Sequence, residues 1–368
     1  MFSTLQKKIF REPVLIVSIF LVIVSSLYVR PDIQTIDWKV IIALFNLMAV
    51  IAALAKYQVL DRVSLALVRR FTSIRYMGAC LVILTGLFAM FVTNDVALLT
   101  MVPITILIAR RGRFNPVWII IYQTLAANIG SSLTPMGNPQ NLFLYEFFYI
   151  KNLEFITILL PLVCLGCVII GIFLFRIPCK PVHYKAEKLP GKDNLRRQLI
   201  YLVFFALVIL SVLRFIDYRL MFVSTIVLIL FLDKELLLKI DYLLLATFVA
   251  FFIFVGNISH LPGLTRSISA LLTGEGHTFL GGVLASQIIS NVPAAVLLAN
   301  FSADYPELLL GVNVGGVGTL IASLASLISY KIYCKEYPAA GYLLKFHAVN
   351  FIGLFFLSAV IYLCIRII

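Results

Sequence analysis

The chain has 368 residues, of which 62% are hydrophobic and 13% charged, with a formal net charge of +13 and a mean hydropathy of +1.04. A soluble globular domain is about half apolar, so this composition excludes a water-soluble protein and makes the bilayer the solvent. The positive charge does not point to nucleic acid, because Lys and Arg sit in short clusters between apolar runs, as they do in cytoplasmic loops.

A transmembrane helix needs about 20 mostly apolar residues, and such runs recur from end to end. In chain order the pattern predicts spans at 13–29 and 37–56, a hairpin at 76–110, and a span at 115–150 interrupted in its middle. Spans follow at 153–176, 198–213, 218–232 and 240–258. A second hairpin at 278–303, a second interrupted span at 306–333 and a last span at 341–366 complete the series. The first run is followed by Arg30-Pro31-Asp32 rather than by small residues fit for cleavage, so it reads as a retained span. The segment from Pro178 to Arg197, with Pro181, Pro190 and Gly191, reads as a solvated linker. It divides the chain into a first half, 1–176, a basic cytoplasmic linker, 177–197, and a second half, 198–368.

With the N-terminus placed inside, most of the Lys and Arg fall on the inner side. They include Lys7, Lys8 and Arg11, the cluster from Lys56 to Arg75, Arg110, Arg111 and Arg113, and the linker's Lys185, Lys188 and Lys192. The bias predicts a multi-pass protein of the cell inner (plasma) membrane, N-terminus cytoplasmic and C-terminus external.

Two pieces of sequence recur. Ile36-Asp37-Trp38 opens one apolar span and Ile240-Asp241-Tyr242 another. Asn128, Gly130, Thr134, Asn138, Asn141 and Tyr145 stand at one constant offset from Asn313, Gly315, Thr319, Ser323, Ser326 and Tyr330. Each set follows a short polar break, Thr93-Asn94-Asp95 in the first half and Ser290-Asn291-Val292 in the second. The first Ile-Asp pair falls outside and the second inside, so the halves are inverted, with the 198–213 crossing as the odd helix. The expected fold class is an all-α polytopic membrane protein, an inverted-topology repeat with two re-entrant hairpins and two broken transmembrane helices. Such repeats mark secondary transporters, and their interruptions mark the binding site.

The arms of the first hairpin count about 16 apolar residues, or about 24 Å at 1.5 Å per residue; those of the second are shorter. Neither comfortably spans about 30 Å of hydrocarbon, hence the re-entrant reading. In the first broken helix Pro135 and Pro139 each remove a backbone donor. In the second the run Gly315-Gly316-Val317-Gly318-Thr319 unwinds the chain. That run is a phosphate-loop lookalike without the lysine or a preceding strand.

Each break creates a helix N-terminus, near Asp95, Asn138, Val292 and Ser323, whose free N–H groups favour an anion. Each also creates a C-terminus whose free carbonyls suit Na⁺. The candidate substrate and ion site therefore comprises Thr93, Asn94, Asp95, Ser290 and Asn291 at the tips. Asn128, Gly130, Ser132, Thr134, Gly137, Asn138 and Asn141 come from the first break, and Asn313, Gly315, Gly318, Thr319, Ser323 and Ser326 from the second. Na⁺ is expected at Asn94, Asp95, Gly130, Asn291 and Gly315. Asp95 is the deepest carboxylate, and intramembrane ionisable groups are functional by default; it also suits a helix N-cap. His347 reads as packed with a hydrogen bond to a neighbouring carbonyl. Asp37 and Lys39 read as interfacial, and Cys164 and Cys167 as small packing residues.

These motifs resemble the ion-transporter superfamily, which includes divalent-anion/sodium symporters, citrate carriers, arsenite efflux permeases and D-type sodium/proton antiporters. The resemblance runs over about residues 30 to 366. It rests on Thr93-Asn94-Asp95 with Pro103, on Gly130 through Asn138-Pro139-Gln140-Asn141, on Ser290-Asn291-Val292-Pro293 and on Gly315 to Thr319. It implies a homodimer with an elevator motion, and cation sites between each tip and its broken helix. Dicarboxylate symporters carry Ser-Asn-Thr at both tips, whereas the third positions here are Asp95 and Val292. An Asn-Asp tip is more similar to the arsenite and sodium/proton branches.

The expected function is a Na⁺- or H⁺-coupled secondary carrier of a small anion, a carboxylate or an inorganic oxyanion. The alternative is a Na⁺/H⁺ antiporter or an arsenite-type efflux permease. No nucleophile–base or metal constellation suggests an enzyme. The expected partners are the anion, the coupling cation, the bilayer and a second copy of the chain, with no cofactor beyond Na⁺.

Overall fold

The computed structural model describes residues 13–68, 70–181 and 194–367. Lys7, Lys8, Arg11, Arg69 and the linker residues 182–193, which carry Lys185, Lys188 and Lys192, lie outside the described residues. The regular structure described is helical, apart from one isolated antiparallel bridge between Ser73 and Pro181.

The first half comprises α1 (Pro13–Ser26), α2 (Trp38–Lys56), α3 (Val59–Val68), α4 (Ile74–Val92), α5 (Asn94–Gly112), α6 (Val117–Ser131), α7 (Pro139–Phe147) and α8 (Asn152–Leu174). The second comprises α9 (Leu195–Val212), α10 (Tyr218–Leu232), α11 (Tyr242–Ser259), α12 (Pro262–Leu272), α13 (His277–Ile289), α14 (Asn291–Ala299), α15 (Tyr305–Gly315), α16 (Leu324–Cys334) and α17 (Tyr342–Ile367). Among the described residues six helices, α2, α4, α8, α9, α11 and α17, are long and apolar enough to cross a membrane. The protein is a polytopic membrane protein.

The recurrent Ile-Asp pairs have a local cause. Asp37 accepts from the N–H groups of Lys39 and Val40 at 3.0 and 3.3 Å, and Asp241 from that of Leu244 at 3.0 Å. Both are N-caps, which satisfy helix donors that have no partner within the helix. The preceding Ile36 and Ile240 are buried. Asp37 thus caps the start of α2.

Two elements escape a span-by-span reading of the sequence. The helices α3 and α12 are short and amphipathic, so neither registers as a crossing. The buried side of α3 carries Leu60, Leu65 and Val68, and the helix packs on α2, α4 and α5. In the second half α12 packs on α11 and α13. Each connects a crossing helix to the start of a hairpin.

The first hairpin is longer than expected. Its arms, α4 and α5, each have 19 residues, or about 28 Å, because both helices continue past the apolar run into polar ends such as Arg110-Arg111-Gly112. Length therefore no longer argues for a re-entrant first hairpin. It still does for the second, whose arms have 13 and 9 residues.

The packing separates two bodies. One contains α1, α2, α9, α10 and α11: α1 lies along α11, and α2 packs on α9, α10 and α11. One end of it is tied by Asp233. That carboxylate accepts from Lys56 Nζ at 2.6 Å, Tyr57 Oη at 2.8 Å, Tyr201 Oη at 2.9 Å and Arg197 at 3.3 Å. Burial opposes its ionisation, but the hydrogen bonds from Lys56, Tyr57 and Tyr201 outweigh burial and hold Asp233 below the usual carboxylate range. The other body contains the hairpins, the interrupted helices, α8 and α17. Between the bodies, α2 touches α7 and α11 touches α14.

Candidate functional site

Both hairpins turn on a single residue. Thr93 lies at φ 71°, ψ 149° and Ser290 at φ 75°, ψ 153°. This conformation is almost reserved for glycine and costs a β-carbon-bearing residue about 1–3 kcal/mol. Each is at once the end of one helix and the start of the next, so both tips expose a helix C-terminus beside a helix N-terminus.

The tips meet the breaks. Asn94 is 4% exposed, and its Nδ2 donates to Asn128 Oδ1 at 3.2 Å. The Asn291 N–H donates to Ala322 O at 2.9 Å, with its side-chain amide beside Gly316. Thr134 Oγ1 donates to Met90 O, and Thr319 Oγ1 donates to Gln287 O at 3.2 Å. In each half, then, the threonine of the break binds a carbonyl three residues before the strained tip residue.

Across the halves the pairing is reciprocal. Asn128 Nδ2 donates to Gly316 O at 3.2 Å and to Ser326 Oγ at 3.4 Å, and its Oδ1 accepts from Ser323 Oγ at 3.0 Å. Asn313 Oδ1 accepts from Asn138 Nδ2 at 3.3 Å, and its Nδ2 donates to Asn141 Oδ1 at 2.6 Å. Ser323 and Ser326 are the positions matched to Asn138 and Asn141. Each first asparagine therefore binds the two later polar positions of the other set. The helices do the same: α4 packs along α6 and α13 along α15, while α5 packs on α16 and α14 on α7.

The breaks are internally satisfied, as buried backbone must be. Asn141 Nδ2 faces the carbonyls of Ser131, Ser132 and Thr134 at 3.3, 3.1 and 3.3 Å. Ser132 Oγ donates to Asn128 O at 2.9 Å. Asn138 caps α7 by accepting from the Asn141 N–H at 2.9 Å. The glycines permit close approach. A β-carbon on Gly130 would strike the Gly86 backbone, one on Gly137 the Ser131 backbone, and one on Gly315 Ser286 Cβ at 2.6 Å. Gly318 lies at φ 134°, and a β-carbon there would strike the Gln287 amide.

Asp95 sits in the first turn of α5, partly exposed. Among the described residues its carboxylate has no hydrogen-bond or ion-pair partner. Its side chain is not the cap of α5, since the turn's residue is Thr93. The structure thus brings all the expected site residues to one region around the four breaks. His347 Nδ1 donates to Leu343 O at 2.8 Å at a partly exposed position, apart from this network.

Sequence reasoning missed two members. Gln287 Nε2 donates to Gly315 O at 2.7 Å, and its Oε1 accepts from the Thr319 N–H at 2.9 Å, splinting the glycine break. Gln123 joins Thr105 at 2.9 Å and Thr85 at 3.0 Å behind the first break. The signal for both was one amide in an otherwise apolar run.

Comparison with known proteins agrees with a carrier. A family model described as citrate transporter matches residues 8–307. The uncharacterized transporter MJ0456 of Methanocaldococcus jannaschii is 32% identical over 324 residues, 86% of this chain and 87% of that one. The inner membrane protein YbiR of Escherichia coli is 33% identical over 307 residues, 81% of this chain and 80% of that one.

Proposed function

The chain belongs to the citrate transporter family, and from that premise we propose that it is a cation-coupled secondary carrier of a small anion working by an elevator-type alternation. It is a transporter and not an enzyme. The observation that carries the reading is the reciprocal pairing of Asn128 with Ser323 and Ser326 and of Asn313 with Asn138 and Asn141. An inverted repeat about a pseudo-two-fold axis accounts for such pairing, with halves 1–176 and 198–368; the arms of 13 and 9 residues favour a re-entrant second hairpin, and the repeat would make the first hairpin its counterpart. The four helix N-termini would hold the anion, and the tip carbonyls with Asn94, Asp95 and Asn291 would hold Na⁺. Citrate, or another small carboxylate, is the substrate class that the family suggests. The two bodies, joined through α3 and α12, support sliding of the hairpin body against the other, in a homodimer.

The lone Asp95 carboxylate favours a second reading, cation/proton antiport, in which Na⁺ and H⁺ compete at that residue.

Proteoliposome uptake tests the first reading. A gradient of Na⁺ or H⁺ should drive accumulation of citrate or another small anion, and Asn94→Ala or Asn291→Ala should abolish it while leaving the protein folded. Near-normal uptake in either variant removes that tip from the site. Cation-driven proton flux with no anion requirement would decide for the antiporter. Topology has its own test: Arg113→Cys should label from the cytoplasm and Ala303→Cys from outside. Labelling of both from one side sinks the inverted repeat.

A further inference from the structure

The loop that follows α9 grips the hairpin-bearing body mainly through the side chain of Arg214. Its guanidinium lies between two rings, 3.9 Å from the centroid of Tyr145 and 4.1 Å from that of Tyr149. It donates to Glu146 Oε1 at 3.4 Å, to Ile150 O at 2.8 Å and to Tyr145 O. Beside it Asn152 Nδ2 donates to Leu213 O at 3.2 Å, while Asn152 Oδ1 accepts from Tyr145 Oη. All these partners lie at the end of α7 or the start of α8, in the other body.

The backbone carries a matching feature. Arg214 at φ 66° and Tyr149 at φ 52° are both left-handed. Each follows a helix end closed by the same pair of bonds, Arg214 N to Ser211 O with Phe215 N to Leu210 O, and Tyr149 N to Glu146 O with Ile150 N to Tyr145 O. Glycine is the favoured residue at such a position. Here an arginine and a tyrosine hold the two positions, and their side chains stack on each other.

We infer that Arg214 is the positioning residue that clamps the hairpin body in the end state of this structure, and so sets the balance between the two end states of transport. The inference rests on the elevator reading above. An inverted repeat lets the two end states exchange the roles of the halves, so paired contacts nearly cancel between them. A contact from an unpaired element does not cancel. The loop after α9 is such an element, because α9 is the odd helix. The equivalent turn after α16 bonds within its own body, through Arg110 to Glu336 at 3.1 Å and the stacking of Tyr333 on Tyr337. A cavity of about 370 Å³ adjoins the clamp, walled by Lys39, Asn46, Glu146, Ser211 and Arg214. Asn46 is 2% exposed, and among the described residues its Oδ1 has no hydrogen-bond partner. Water in this polar space can take over the hydrogen bonds of a released Arg214 and Glu146, which makes the clamp reversible.

Arg214→Gly separates the clamp from folding, since glycine suits the left-handed position while the side chain is lost. Spin labels at Lys234→Cys and Lys335→Cys, one on each body, in the otherwise cysteine-free protein in nanodiscs, report the separation of the bodies. The parent protein should show two distances, with that of this structure favoured. Arg214→Gly should shift the ratio about tenfold toward the other, as loss of one aromatic-flanked, charge-assisted arginine predicts. Arg214→Lys, which keeps the charge without the planar fork, should fall between. The turnover of transport should change, while anion binding by thermal shift should not. Two distances in the parent with an unchanged ratio in both variants overturn the clamp alone. A single distance in the parent under every combination of Na⁺ and anion overturns the elevator reading, and the clamp with it.

Discussion

The two hairpin tips share a backbone and differ in charge. Thr93 and Ser290 adopt φ and ψ within a few degrees of each other, and each is followed by a buried asparagine. The next residue is Asp95 in one and Val292 in the other. The common part places a helix C-terminus beside a helix N-terminus at each tip. The different part places a carboxylate at one tip and a methyl-bearing side chain at the other. The two tips therefore repeat a backbone conformation but not an ionisable group. Coupling to a cation is expected to reside at the first tip.

The sharpest way to break this comparison is to remove the difference. Asp95→Asn keeps the shape and deletes the charge. Contacts to a charged partner are worth about 1.5–3 kcal/mol, so Na⁺ affinity should fall about 10- to 100-fold in the carrier. In an antiporter, exchange should stop. Val292→Ala should stay within about threefold of the parent, since no polar contact is lost. Uptake measured across about pH 5.5 to 8.5 would bracket a perturbed carboxylate. An Asp95→Asn protein with unchanged pH and Na⁺ profiles would make the two tips equivalent, and the asymmetry would have no functional weight.

How far the sequence foretold this arrangement depends on what each residue announces locally. Pro135, Pro139 and the glycines from Gly315 to Gly318 interrupt apolar runs, and the interruptions stand where they were expected. The constant offset between the Asn128 and Asn313 sets was visible as well. What the offset could not carry is contact: equivalence in sequence does not say that Asn128 binds Ser323 rather than Asn138. That follows from helix packing between the halves, which no local pattern encodes. Helices α3 and α12 were missed because each is too short to register as a crossing. Gln287 and Arg214 were missed for a simpler reason. A single amide in an apolar arm and a single arginine in a short loop have no period, and their roles exist only once distant carbonyls and rings surround them.

A second contrast lies behind the tips, at the matched glycines. Gly130→Ala would drive a β-carbon into the Gly86 backbone, which cannot be trimmed. Gly315→Ala would meet Ser286 Cβ and Oγ at 2.6 Å, which can. Overpacking costs about 1–3 kcal/mol, so both substitutions should lower the melting temperature by several degrees. Ser286→Gly should recover much of the loss in Gly315→Ala, through the coupling expected of residues in contact. Ser286 Oγ also donates to Gly282 O at 2.7 Å, so the recovery should be incomplete. Ser286→Gly should recover nothing in Gly130→Ala. Rescue of both by this one change would mean that the glycines are not in the separate contacts described.

The smallest effect expected concerns the strain itself. Glycine at either tip would relieve a conformation that costs about 1–3 kcal/mol, while adding chain entropy to the unfolded state worth about 0.5–1 kcal/mol. The balance should raise stability by between about 0 and 2.5 kcal/mol. Thr93→Gly should gain more than Ser290→Gly, for two reasons. Threonine is β-branched and tolerates positive φ worse than serine. Ser290 Oγ also donates to Ala322 O at 3.4 Å, a contact its glycine variant would lose. If the strained turn only joins two helices, transport should be unchanged in both variants. If it holds the tip carbonyls and N–H groups in position for ions, the glycine variants should be more stable and yet bind Na⁺ more weakly, because a looser turn must be ordered at each binding event. Melting curves with and without Na⁺ separate these outcomes. A Thr93→Gly protein that is stabilised, with its Na⁺-dependent shift intact, would reduce the first tip to a connector, and the same outcome for Ser290→Gly the second.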